Sequence, residues 1–185
     1  MDDDAQLIDQ TLRGQSAAFG QLVLKYQDRL YNTVFHMDGN AEDAREVVQE
    51  AFVQAFLKLD TFRRASAFYT WLYRIAFNVA VSRRRRRRPT ASVEQARAAG
   101  GCDPADSSDG PAERAEQAER CRQVRQAVAQ LDEDHRAVLV LREIEGCDYA
   151  TIAEVLDLPL GTVRSRLHRA RLLLRERLRE ALMTE

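Results

Sequence analysis

Apolar residues recur at helical spacing along the first half of the chain. One stripe starts at Phe19, Leu22 and Tyr26, with steps of three and four residues, and a second runs through Val47 and Ala51. No convincing run alternates apolar and polar residues in the way that a half-buried strand does. The pattern predicts an all-α protein.

The second half carries the same spacing in shorter pieces. Apolar stripes predict helices over residues 124–131 and 137–144, and Gly146 ends the second of these. A short helix over residues 149–156, a turn over 157–161 and a helix over 162–181 follow. Two helices joined by such a turn, the second rich in Arg at its start, match the plan of a helix-turn-helix.

A stretch between the two halves lacks both patterns. Residues 89–115 contain Pro89, Pro104 and Pro111 together with glycines and serines, and their apolar residues are mostly Ala. This composition predicts a flexible linker between a domain over residues 1–88 and one over 116–185. A coil of this length spans about 30 Å on average and about 90 Å when stretched, so the two domains can sit well apart.

Composition excludes several classes of protein. With 45% hydrophobic and 31% charged residues the chain is globular, and no apolar run reaches the length of a membrane span. Its start, Met1 followed by three aspartates, is unlike a secretory signal, which predicts a cytoplasmic protein. Cys102, Cys121 and Cys147 lack the spacing of a metal or redox site, so we expect free thiols.

The net charge of −1 conceals an uneven distribution. Acidic residues outnumber basic ones between Asp38 and Asp60, whereas six consecutive arginines occupy Arg83 to Arg88 and further arginines recur from Arg164 to Arg179. The basic stretches favour a polyanionic partner. The arginine-rich stretches have two alternative explanations, the base composition of the gene and ordinary solvation of a charged surface.

The helix-turn-helix pattern predicts a reading surface for duplex DNA. With Ile152, Ala153 and Leu156 packing the first helix and Val163 and Leu167 the second, the polar side chains face outward. Arginine is the best donor for guanine edges and phosphates. The predicted DNA contacts are Thr162, Arg164, Ser165, Arg166, His168, Arg169 and Arg171. A basic surface helix after a turn is the alternative.

Six aromatic residues cluster in the first half, namely Phe62, Phe68, Tyr69, Trp71, Tyr73 and Phe77. Rings beside Arg63, Arg64 and Arg74 are what a single-stranded nucleic-acid site needs, because bases stack on rings while phosphates pair with arginine. A helix that is apolar nearly all round also fits a core helix, and Phe68, Ile75 and Val79 are core residues in either case.

An amphipathic helix is predicted from residue 42 to residue 58. Asp43, Glu46, Gln49 and Glu50 lie on or near one polar surface of it. This surface is either a solvated face or a docking site for a basic helical partner, whose orientation and association rate complementary charge would set.

These segments resemble one family, the extracytoplasmic-function (ECF) sigma factors of bacterial RNA polymerase. In the first domain the resemblance lies in DAREVVQEAF (43–52), LDTFR (59–63) and SAFYTWLYRIA (66–76) with Asn78. In the second it lies in LREIEG (141–146), YATIA (149–153) and PLGTVRSR (159–166) with Arg169 and Arg171. Their order, with a linker between the two groups, is highly specific.

The resemblance implies a role for each segment. Asp43, Glu46, Gln49 and Glu50 would dock on a coiled coil of the largest polymerase subunit. Phe62, Arg63, Trp71, Tyr73, Arg74 and Asn78 would recognise the minus-ten element and capture a base flipped from its non-template strand. The helix-turn-helix would read the minus-thirty-five element, and the linker would thread toward the active-site channel. An anti-sigma factor is the expected regulator. Arg64 and Ala65 depart from the usual Gly and acidic residue, which affects the preferred minus-ten base.

Two other functions fit parts of the sequence. A stand-alone helix-turn-helix regulator would need a dimerisation surface, and the aromatic segment argues against it. A recombinase would need an activated nucleophile, but His36, His135 and His168 lie in no catalytic pattern, and a glycine-rich phosphate loop is missing. We therefore expect no enzymatic activity, no cofactor and no metal.

Overall fold

The structure is a computed structural model that describes residues 3–87 and 110–183. These residues form eight α-helices with no strand among them, as the periodicity predicts. Most of the predicted linker, residues 89–109, lies outside the described residues. None of the described helices is long and apolar enough to cross a membrane.

The first module comprises four helices: α1 (Asp3–Leu12), α2 (Ser16–Asp38), α3 (Ala41–Leu57) and α4 (Phe68–Arg87). A 3-10 turn, Leu59–Thr61, leads from α3 toward α4. Gly39 ends α2 in the left-handed conformation (φ 74°). Asn40 then caps α3, its Oδ1 accepting from the backbone N–H of Glu42 at 2.9 Å.

Helix α1 was not predicted from the sequence. Leu7 and Ile8 bury one side of it against the core, and Asp4 accepts hydrogen bonds from Lys25, at 2.5 Å, and from Tyr26. A helix this short has little intrinsic stability in water, so its packing against α2 stabilises it.

The second module contains α5 (Pro111–Ala129), α6 (Glu133–Leu139), α7 (Tyr149–Leu156) and α8 (Leu160–Met183). Helix α5 starts at Pro111, so residues 111–115 are helical and not part of the linker. Proline suits the first helical turn, and the N–H of Gly110 donates to the Glu113 carboxylate at 3.0 Å. After α6 the chain continues as a π-helical segment, Val140–Ile144.

The two modules pack against each other, although the linker length would let them separate. Helix α4 of the first module lies against α7 of the second, and both modules contribute to one cluster of buried residues. Leu30 and Leu72 are fully buried in the first module, and Leu141 and Ile152 are nearly or fully buried in the second.

Candidate functional site

The start of α8 presents basic side chains away from the core. Val163, Leu167 and Ala170 are buried beneath it, as are Ile152 and Leu156 on α7. The Asp148 side chain caps α7 by accepting from the N–H of Thr151 at 2.7 Å, and Asp157 turns the chain in the left-handed conformation (φ 54°). The side chains of Arg164, Ser165, His168, Arg169 and Arg171 are exposed, and those of Thr162 and Arg166 are half-buried.

Two of these arginines contact acidic residues of their own module. Arg166 pairs with Asp134 at 2.7 Å, and Arg171 pairs with Glu143 at 2.6 Å. The hydrogen bonds that Arg171 donates to the Glu143 carboxylate raise the pKa of Arg171. Ion pairs with this exposure are weak, so another anion can replace the acidic partners.

A second surface lies at the start of α4. The Phe62 ring lies 5.1 Å from the Trp71 ring and 5.8 Å from the Phe68 ring, with Phe68 buried and the other two partly exposed. Trp71, Arg74 and Asn78 follow one another at steps of three and four residues on one side of α4, and Arg74 and Asn78 are exposed. Arg63 is exposed in the loop before α4. We call Phe62, Arg63, Trp71, Arg74 and Asn78 the aromatic face.

The structure does not bring Tyr73 to the aromatic face. Tyr73 is only 3% exposed, and its hydroxyl lies 2.7 Å from the Thr33 hydroxyl. Burial raises the pKa of Tyr73 well above its usual range. Residues two positions apart on an α-helix differ in direction by about 200°. Tyr73 therefore lies on the side of α4 opposite to Trp71.

The predicted acidic residues do share one side of α3. Glu46 and Gln49 are exposed, and Asp43 and Glu50 are partly buried. Arg83 of α4 bridges two of them, pairing with Glu46 and, at 3.3 Å, with Glu50. Sequence reasoning assigned Arg83 to the basic run and missed this contact, which joins residues far apart in sequence.

An apolar groove between α2 and α3 adjoins these acidic residues. It has a volume of about 620 Å³, and Gln49 lies on its edge. Val53 and Phe56, which line it, are 54% and 43% exposed. Sequence reasoning also missed this groove, although apolar residues that fall off the main stripe near the end of α3 are a signal for it. We call this groove and the four acidic-face residues the docking face.

The four arginines of the run whose side chains the structure describes, Arg83 to Arg86, do not form one patch. Arg83 contacts the docking face, whereas Arg84 pairs with Glu133 of the second module at 3.0 Å. Arg85 and Arg86 are exposed. The position of each arginine around α4 therefore decides its partner.

The remaining candidate chemistry is sparse. Within the described residues, no group of His, Cys, Asp and Glu is placed to hold a metal ion. Cys121 and Cys147 are free thiols, and burial raises the pKa of Cys147. Cys102 lies outside the described residues.

Comparison with known proteins assigns both modules. The family model for Sigma-70 region 2 matches residues 22–90, and the model for Sigma-70, region 4, matches residues 121–174. The chain is 42% identical to the RNA polymerase sigma-H factor of Pseudomonas aeruginosa, over 91% of this chain and 90% of the relative. It is 40% identical to the ECF RNA polymerase sigma-E factor of Escherichia coli, over 91% and 90%.

Two solved structures resemble the whole arrangement. CnrH, in complex with the cytosolic domain of CnrY, is 31% identical with a TM-score of 0.68, over 99% of this chain and 98% of that one. The sigma factor RpoE of Bartonella quintana, in complex with the anti-sigma factor NepR, has a TM-score of 0.69 over 87% and 96%. At 24% identity, the second shows likeness of fold alone.

Proposed function

Because this chain belongs to the extracytoplasmic-function sigma factors of bacterial RNA polymerase, we propose that its two modules divide the work of promoter recognition. A sigma factor binds core polymerase, directs it to specific promoters and promotes strand opening for transcription initiation. The proposal assigns these steps to particular surfaces. The observation that carries it is that the basic face of α8 and the aromatic face belong to different modules.

The second module, for which the sequence predicts residues 116–185 and whose first helix begins at Pro111, reads the minus-thirty-five element as a duplex. The exposed Arg164, Arg169 and Arg171 lie at the start of α8, the part of a recognition helix that enters the major groove. Arginine pairs in bidentate fashion with guanine and also binds phosphates. Arg166 joins this surface once DNA replaces Asp134 as its partner.

The first module, residues 1–88, captures the opened minus-ten element on the aromatic face. Extracting a base from the duplex costs a few kcal/mol, and stacking on a ring returns about 1 to 3 kcal/mol per base. Phe62 and Trp71 supply partly exposed rings, Asn78 supplies an amide for base edges, and Arg63 and Arg74 supply cations for phosphates. No covalent step is required of this chain.

The docking face binds a coiled coil of the largest polymerase subunit. Its acidic residues, Asp43, Glu46 and Glu50, with the neutral Gln49 beside them, suit a basic helix and steer its approach. The adjoining groove supplies apolar surface that a partner can bury, since Val53 and Phe56 are exposed in the free chain. The two together fit an amphipathic helix better than a purely polar surface would.

The site of action and the regulator follow from the family. We place the protein in the cytoplasm, where polymerase meets the chromosome. CnrH is in complex with the cytosolic domain of CnrY, and RpoE is in complex with the anti-sigma factor NepR. We infer that an anti-sigma factor binds this chain as well.

Transcription in vitro with sigma-free core polymerase and a promoter library tests the proposal. Wild-type protein should yield transcripts that start at a fixed distance from a shared two-part motif, at a stated salt concentration. Arg166→Ala should weaken binding at the upstream element. Arg175→Ala is the matched control, because Arg175 is exposed farther along the same helix.

Phe62→Ala should spare upstream binding and impair strand opening. A template with a pre-opened bubble at the minus-ten element should restore transcription by this variant, which a folding defect would not allow. Identical defects of Phe62→Ala and Arg166→Ala at one step would overturn the division of labour. Duplex binding without polymerase, and no transcripts, would favour a stand-alone regulator.

A further inference from the structure

A single glutamate of the second module is buried in the first. Glu145 follows the π-helical segment and precedes Gly146, whose left-handed conformation (φ 68°) turns the chain away. Its side chain is 4% exposed. One carboxylate oxygen accepts from Arg29 Nε at 2.9 Å and from the Tyr69 hydroxyl at 2.5 Å, and the other accepts from the Thr33 hydroxyl.

The residues that receive Glu145 are held in place by one another. The Arg29 guanidinium lies over the Tyr69 ring, 3.9 Å from its centroid, and also donates to the Glu145 carbonyl oxygen at 3.3 Å. The Thr33 hydroxyl in turn lies 2.7 Å from that of Tyr73. We call Arg29, Thr33, Tyr69 and Tyr73 the notch. Burying a carboxylate is costly unless hydrogen-bond donors replace the lost water, and the residues of the notch provide such donors.

Further contacts cross the same boundary. Arg136 of α6 donates to the Met37 carbonyl of α2 at 2.8 Å, and Arg84 pairs with Glu133. The apolar part of the boundary is closely packed around Phe77 and Val155, where a cavity measures only about 10 Å³, whereas a second cavity between the modules, bordered by Met37 and Leu158, measures about 380 Å³. The boundary is therefore a specific interface between the modules.

This closed arrangement is too small for the proposed function. A compact chain of this length has a radius of gyration of about 16 Å and is about 40 Å across. The minus-ten and minus-thirty-five elements lie about 25 base pairs apart, or about 80 Å along the duplex. One closed molecule cannot hold both elements, so the modules must separate on the promoter.

We propose that Glu145, seated in the notch, is a latch that keeps the free chain closed until core polymerase separates the modules. This rests on the proposed function. Removing one partner of a buried charged pair shifts the equilibrium between the closed and open forms at least about thirtyfold. Polymerase binds the open form. Its apparent affinity for the free chain is therefore its affinity for the open form multiplied by the fraction of chains that is open.

Small-angle scattering of the full chain tests the latch without reference to function. Glu145→Arg places two guanidinium groups in the notch and should raise the radius of gyration from about 16 Å toward about 25 Å. The charge swap Arg29→Glu with Glu145→Arg should close the chain again. Glu143→Arg is the matched control, because Glu143 pairs with Arg171 inside its own module. Circular dichroism should show equal helix content in all four proteins.

Binding to core polymerase is the second readout. Glu145→Arg should bind at least about tenfold more tightly than wild type, and the charge swap should return to the wild-type affinity. An unchanged radius in Glu145→Arg, an already extended wild type, or opening without tighter binding would each overturn the latch. If no variant binds polymerase while the radii change as expected, the proposed function fails and the closed interface stands.

Discussion

Arg136 offers a sharp test of how the second module is held together. It is 8% exposed, and its guanidinium donates to the backbone carbonyls of Ala129 at 2.5 Å and Leu131 at 2.6 Å. It also reaches the Val128 carbonyl at 3.2 Å. The side chain thus satisfies the Ala129 and Leu131 carbonyls at and just beyond the end of α5, whereas the Val128 carbonyl also accepts from the Leu131 N–H. Burial lowers the pKa of Arg136, but arginine stays protonated at neutral pH.

The substitution Arg136→Met keeps the length of the stem and removes every donor. Leaving the Ala129 and Leu131 carbonyls without this donor costs about 1 to 2 kcal/mol each, or about 3 kcal/mol in total. The variant should remain folded, since domains are stable by about 5 to 15 kcal/mol. The expected loss corresponds to a Tm lower by about 6 to 12 °C.

Urea unfolding followed by circular dichroism measures this loss. Arg120→Met is the matched control: Arg120 lies on α5 with 69% of its side chain exposed, and it should change stability by less than about 0.5 kcal/mol. If Arg136→Met were as stable as the control, the carbonyl contacts would not hold α5 against α6, and the reasoning would be refuted.

Three further outcomes are expected. Hydrogen bonds from Thr151 lower the pKa of Asp148, so the contribution of Asp148 to stability is present above about pH 4 and is lost as the pH falls through the lowered pKa. The Tm advantage of wild type over Asp148→Asn should therefore shrink as the pH is lowered, and a constant advantage would contradict this. Trp71 is the single tryptophan, so a minus-ten single strand should change its fluorescence, and Phe62→Ala should weaken that binding about tenfold; an unchanged signal would count against the aromatic face. Arg83→Gln should raise affinity for core polymerase about fivefold because Glu46 and Glu50 lose a cation that competes with the basic partner, whereas Arg86→Gln should not, and equal effects would refute the bridge.

Local patterns in the sequence were enough to identify most elements of this protein. The helical spacing of apolar residues reflects burial of one helix face, which neighbouring residues decide together, so the all-α class and the helix-turn-helix were predicted correctly. The family followed from short motifs in order. Outward placement of Arg164 and Arg169 also followed, because Val163 and Leu167 define the inward side of α8.

Each of the three misses has a physical reason. Helix α1 was overlooked because its stability comes from packing on α2, and residues 111–115 were assigned to the linker because Ala-rich, Pro-containing sequence resembles coil. Tyr73 was placed with the DNA-binding residues because it lies in the string that resembles the family's minus-ten segment, and that likeness does not report which side of α4 faces the core.

The sequence by itself therefore determined the helices, the two-module plan and the family, since each depends on residues within a few turns of one another. Only the tertiary structure decided the contacts between distant residues: Arg83 with the acidic side of α3, Arg136 with the end of α5, and Glu145 with Arg29, which is 116 positions away. Such pairs depend on how whole helices pack, and the free energy that selects one packing is shared among many side chains. No local pattern records it.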